Sequence, residues 1–185
     1  MKRIIVGALV GGIVFFIWSA IIHMSPLGMM GITSLPDGVY DSLKANLPNS
    51  GFYFFPGVVS NPTPEQQKAW EEKLKAGPYG ILVYTAGPGA AMAPKQLIGE
   101  LLSDIVAAFI ASCIIAMIAA PYAKRAAVVA LLGVFGWVSL LLSYWLWYNF
   151  PTTYILCEGF TEIVGWMIAG LVIAKLVPPR PLAAP

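Results

Sequence analysis

The sequence predicts an all-α integral membrane fold: four transmembrane helices with a small α(+β) extracytoplasmic cap between helices 1 and 2. Three observations predict it. Of 185 residues, 58% are hydrophobic and 11% charged, with a mean hydropathy of +0.77, well above the apolar share of a soluble domain. Four windows, 4–22, 97–123, 126–148 and 153–177, reach the ~20 apolar residues that a helix needs to cross a bilayer. The segment 25–96 between the first two windows is instead polar and punctuated by proline and glycine. The chain therefore divides into a first span (1–24), the cap (25–96), spans two to four (97–177) and a proline-rich tail (178–185).

The first window carries no charge. Lys2 and Arg3 in front of it would also suit a signal peptide, but the apolar part of a signal is ~7–15 residues and this run is longer, so a retained helix is expected. In the cap, Ser34-Leu35-Pro36-Asp37 reads as a helix start with Ser34 as the cap, running to about Leu47 before Pro48. Thr63-Pro64-Glu65-Gln66 is a stronger start: a threonine cap, proline in the first position and glutamine closing a capping box. Lys73, Lys75 and then Gly77-Pro78 end that helix. The runs 51–57 and 79–85 are aromatic or β-branched and bounded by turn residues, which predicts a small strand pair. The alternative is an irregular cap whose aromatics rest on the membrane face.

Basic residues predict the orientation. Lys2 and Arg3 precede the first span, Lys124 and Arg125 fill the turn between the second and third, and Lys175 and Arg180 follow the fourth. The short connection 149–152 has no charge, and the five lysines of the cap are balanced by five acids. By the positive-inside rule both termini and the 121–125 turn are cytoplasmic and the cap lies outside. Trp18, Tyr144, Trp145, Trp147, Tyr148, Phe150 and Tyr154 would then form an aromatic belt at the outer boundary. The net charge of +2 is this bias alone, and it carries no nucleic-acid footprint.

Small residues recur at helix-packing spacing: Gly7 and Gly11 in the first span, Ala107/Ala111 and Ala108/Ser112 in the second, Gly165/Ala169 in the fourth. They let helices approach closely, within the chain or against another subunit. The opening Met1-Lys2-Arg3, Gly7, Gly11-Gly12, Phe15 and Trp18, with the later Tyr53-Phe54-Phe55-Pro56-Gly57, resembles small bacterial inner-membrane proteins of uncharacterised function. The resemblance covers about a third of the chain and implies an inner-membrane location; it transfers no site.

The chemistry concentrates on a few titratable residues. Glu158 and Glu162 interrupt the fourth window, where a lipid-exposed charge costs ~2.5–3.5 kcal/mol or more. Their i, i+4 spacing puts both carboxylates on one helix face. Glu100 and Asp104 form a second such pair at the start of the second window, and His23 ends the first. Together they suggest an acidic vestibule near the outer boundary that binds a cation or passes protons, with Glu162 ~12 Å deep at 1.5 Å of rise per residue. Carboxylates with one imidazole suit Zn, Mn or Fe, and the thioethers of Met24, Met29 and Met30 would suit Cu(I). Glu100 and Asp104 also fit a plainer role, offsetting the dipole in the opening turns of a helix beginning near Pro94. For Glu162 the expected partner is Ser139, Ser143 or Trp137 on the third span. Cys113 and Cys157 differ by about 10 Å in depth, too far for a disulfide, and read as small buried hydrophobes.

Some chemistry is excluded. One histidine cannot make a bis-histidine haem, and no G-x-S-x-G, Walker loop, G-x-G-x-x-G or HExxH is present. The expectation is therefore a non-enzymatic accessory or scaffolding subunit of a larger membrane complex, its partners the lipid bilayer and other membrane subunits. The alternative is a cation or proton pathway through the acidic vestibule. A third reading is pigment or quinone binding, with His23 as the axial-ligand candidate.

Overall fold

The computed structural model describes residues 1–179. Arg180 and the rest of the proline-rich tail lie outside the described residues. Four helices are long and apolar enough to span a membrane: α1 (Lys2–His23), α4 (Pro94–Ala116), the compound helix Tyr122–Tyr148, and α7 (Thr152–Leu176). The compound helix consists of α5 (Tyr122–Gly136), one π-helical turn (Trp137–Leu141) and α6 (Leu142–Tyr148).

One compact unit comprises Met1–Ile32 together with the chain from Ala91 onward. Within it α1 packs against both α4 and α7, and α5 packs against another face of α7. The small residues carry these contacts. A methyl at Gly7 would meet Val177 and Ser112, one at Gly11 would meet Ile173, and one at Gly12 would lie 2.6 Å from the Ile105 backbone. Gly165 leaves room for Phe15 and Trp18, Gly133 for Trp166, and Gly170 for Val129. Ala108, Ser112 and Ala169 are fully buried. The small-residue faces of α1 and α7, and that of α4 at Ala108, Ala111 and Ser112, are therefore used inside the chain. The core is Phe15, Ile115, Val129, Trp166 and Ile173 with these alanines, and Phe15 stacks on Trp166 at 4.6 Å between ring centres.

Three local expectations change. Lys124 and Arg125 do not fill a turn: α5 begins at Tyr122, so both lie in its opening residues. Arg125 is buried, and its guanidinium donates to the carbonyl oxygens of Val177 and Ala174, with Nε bonded to Ala120 O at 3.2 Å. Trp18 is not simply an interfacial residue; its indole donates to Thr161 O at 3.0 Å across the α1–α7 contact. Cys157 is buried and its thiol donates to Leu27 O.

The second unit, Thr33–Ala90, contains α2 (Asp37–Asn46), β1 (Gly51–Phe55), α3 (Pro64–Ala76) and β2 (Gly80–Tyr84). The two strands pair antiparallel, Gly51 opposite Tyr84 and Phe55 opposite Gly80. The capping box forms as expected: Thr63 accepts from Gln66 N, and Thr63 N donates to Gln66 Oε1. Gly77 closes α3 with φ +64°, a backbone state that suits glycine. Ser34 does not cap α2. That helix starts at Asp37 with Pro36 before it and has no side-chain cap, because the fixed φ of proline already sets the entry.

Candidate functional site

The site is built where α1 ends beside the start of α7. After His23 the chain turns through a short 3-10 segment, Pro26–Met29, capped by Ser25, whose hydroxyl accepts from Leu27 N and donates to Ile22 O. Two glycines allow this. A Cβ on Gly28 would strike the His23 backbone at 2.5 Å, and Gly31, at φ +81°, passes within contact of Tyr154. The turn is tied to α7 by the Cys157 thiol on Leu27 O. This brings His23 across from Glu158.

His23 Nε2 stands 3.4 Å from Glu158 Oε1. Its other nitrogen, Nδ1, lies 2.9 Å from Ser19 O and 3.1 Å from Ser19 Oγ. A carbonyl oxygen only accepts, so the bond to Ser19 O places a hydrogen on Nδ1. The approach of Nε2 to a carboxylate is then attractive only when a second proton lies between them. The pair is a seat for one exchangeable proton, with His23 half-exposed and Glu158 mostly covered.

Glu162, one turn further along α7, is partly buried and accepts a hydrogen bond from Trp166 Nε1 at 3.1 Å. The expected partners on the third span are otherwise engaged or turned away. The Trp137 indole donates to Ile155 O, Ser139 bonds Gly136 O, and Ser143 is exposed. The i, i+4 neighbour on its own helix is the closer donor.

On α4, Glu100 is exposed and Asp104 is buried, at 6% exposure. Neither lies in the first turn of the helix, and dipole effects fade beyond that turn. Offsetting the dipole therefore does not account for them. Asp104 Oδ2 has no hydrogen-bond partner among the described residues. The charges of Glu100 and Glu162 both reach Asp104, and those of Glu158, Glu100 and His23 reach Glu162. Three helices thus bring the five candidate residues within electrostatic range of one another.

They do not form a metal cage. Among the described residues, no three His, Cys, Asp or Glu side chains are grouped tightly enough to hold one ion. Met24 lines a pocket beside His23, whereas Met29 and Met30 lie in and just after the 3-10 turn and do not line it. Both ring nitrogens of His23 are engaged, so nothing favours it as an axial ligand. The sequence reading missed the positioning parts: Gly28, Gly31, Ser19 and the Cys157 thiol. The signal for Ser19 was its i, i+4 spacing from His23.

No protein-family model, curated protein or solved structure matches this chain.

Proposed function

We propose that this chain is a multi-pass membrane protein that passes protons, or a cation in their place, through the carboxylate cluster between α1, α4 and α7. The observation that carries the reading is Asp104. A carboxylate 6% exposed with an oxygen lacking any donor is costly to bury, and a proton or a cation is what relieves that cost. The His23–Glu158 pair supports it by offering a second proton seat nearer solvent. Intramembrane carboxylates that face a bundle interior commonly serve such relays. In this reading both termini are cytoplasmic, the membrane is the bacterial inner membrane, and Thr33–Ala90 lies outside.

The test is proton flux in liposomes containing a pH-sensitive dye, driven by a potassium diffusion potential. Wild-type protein should acidify or alkalinise the lumen faster than empty liposomes. Asp104→Asn, which keeps the shape, should return the rate to that baseline while the protein stays monodisperse. A wild-type rate equal to that of empty liposomes, or a fully active Asp104→Asn, defeats the reading.

An accessory or scaffolding subunit is the second reading. It is favoured by small residues that no helix of this chain covers: Gly99 and Ser103 on α4, and Gly136, Ser139 and Ser143 on the third span. Nothing lies within 4 Å of a Cβ built on Gly99 or Gly136, and Ser103, Ser139 and Ser143 are exposed. Such faces suit close packing by another membrane helix. Co-purification from native membranes, with Gly99→Leu and Ser139→Leu as disrupting variants, tests it. A single-species preparation that neither variant alters would defeat it.

A further inference from the structure

We propose that the pocket between the end of α1 and the start of α4 binds an alkylammonium group, a primary amine head on an apolar body. The proposal rests on the reading of the acidic cluster as the working site and names what that site takes besides a bare proton.

The pocket, of ≈320 Å³, is walled by Phe16, Ala20 and Met24 on one side and by Met92 and Leu97 on the other. One aromatic face and two thioethers make an adaptable apolar lining, suited to a hydrocarbon body of variable shape. Its polar groups are Ser19, His23 and Glu100, and no lysine or arginine lines it. The four carboxylates of the cluster face a single imidazole. Even with His23 fully charged, the site keeps a negative excess in apolar surroundings, and its natural ligand is a cation.

Asp104 supplies the independent observation. It lies four residues beyond Glu100 on the α4 stripe that carries Leu97 and Glu100 into the bundle, so it sits at the inner end of the pocket. Its Oδ2 is buried without a donor. A primary ammonium brings three donors and no acceptor. That inventory matches an end of the site populated by Glu100, Asp104 and Glu162, which can only accept when ionised. A quaternary ammonium has no N–H to offer Asp104, and a metal ion finds no grouped ligands. Phe16 adds a π-face for the cationic head or its first methylene.

The same chemistry has two sources: a free lipophilic amine, or the ethanolamine headgroup of a phospholipid whose chains run along the exposed apolar residues Ile17, Ile21, Leu102 and Val106.

The experiment is calorimetric titration of n-hexylamine into delipidated protein in dodecyl maltoside, with n-hexanol as the uncharged control. Hexylamine should bind saturably and hexanol should not. Asp104→Asn and Glu100→Gln should each weaken hexylamine by about tenfold or more, as loss of a charged hydrogen bond predicts. Short-chain phosphatidylethanolamine that displaces hexylamine, where phosphatidylglycerol does not, identifies the headgroup as the source; failure of both to displace identifies the free amine. Equal binding of amine and alcohol, or hexylamine binding unchanged in both variants, overturns the proposal. The flux assay separates the two ideas. Asp104-dependent proton flux without hexylamine binding removes only the amine, whereas hexylamine binding without flux removes only the pathway.

Discussion

Arg125, at the start of α5, donates through its guanidinium to the carbonyl oxygen of Val177, 52 residues later and just past the end of α7. A second branch reaches Ala174 O at 2.9 Å, and the hydroxyl of Tyr122 bonds Leu171 O at 3.0 Å. The last carbonyls of a helix have no partner within it. Here the opening residues of the neighbouring helix supply them, and a cation sits where the α7 dipole favours one.

Arg125→Met should therefore be strongly destabilising, since each hydrogen bond to a charged group contributes about 1.5–3 kcal/mol and the freed carbonyls stay buried. Arg125→Lys should fall between, because an ammonium lacks the planar fork that meets two carbonyls at once. The temperature at which half the monodisperse peak is lost on size-exclusion chromatography ranks the three proteins. A Met variant as stable as wild type would remove the structural role.

The α1–α4 contact depends on Gly12. An added methyl would lie 2.6 Å from Ile105 Cα and 2.7 Å from its nitrogen, and backbone atoms cannot swing aside. Gly12→Ala should cost about 1–3 kcal/mol as overpacking. Gly99→Ala, on the same pair of helices but with open space around its Cβ, should stabilise by about 0.5–1 kcal/mol through helix propensity. The same thermal assay reads both, and the two variants must move in opposite directions.

Glu162 offers a sharper contrast. Glu162→Gln keeps a carbonyl oxygen to accept from Trp166 Nε1 and should fold as wild type, yet lose the proton flux measured in liposomes. Glu162→Leu deletes the acceptor and should lose flux as well. Full flux in both variants would show that the relay does not include this residue.

In the second unit, Thr63→Ala removes the cap of α3 and should weaken that helix by about 0.5–2 kcal/mol, raising protease cleavage around 76–78. Acid should act in the same direction. Hydrogen bonds from the backbone and from the Thr63 side chain hold the Glu65 carboxyl below the usual carboxylate range. A depressed folded-state value adds stability above the unfolded value and loses it as pH falls through the folded one. Cleavage of wild type should thus rise below about pH 4, where an unshifted glutamate starts to protonate. In Glu65→Gln the acid-dependent part of that rise should disappear.

Orientation is open to direct labelling. An impermeant maleimide added to intact cells should modify Gln67→Cys and leave Ala123→Cys, in the exposed α4–α5 connection, unmodified until the cells are opened. Labelling of Ala123→Cys from outside would invert the topology and place the candidate site on the cytoplasmic side.

What the sequence determined by itself is what short-range patterns encode. Four apolar windows specify four helices long enough to span a membrane, because a helix satisfies its own backbone within the window. The capping box at Thr63 and the two aromatic runs likewise specify α3 and the β1–β2 pair, since caps, turns and alternation act over a few residues. Which faces meet was decided only in three dimensions. That α1 lies between α4 and α7, that Arg125 caps α7 and not a turn, and that Trp166 rather than the third span serves Glu162 all depend on contacts between distant segments. The two acid pairs were visible as stripes on separate helices. Bringing Asp104 within range of Glu162, and His23 against Glu158, required the glycines at 12, 28 and 165 to let the helices and the turn after α1 close up. Periodicity shows that a residue faces inward, but the packing partner opposite it is a property of the assembled bundle.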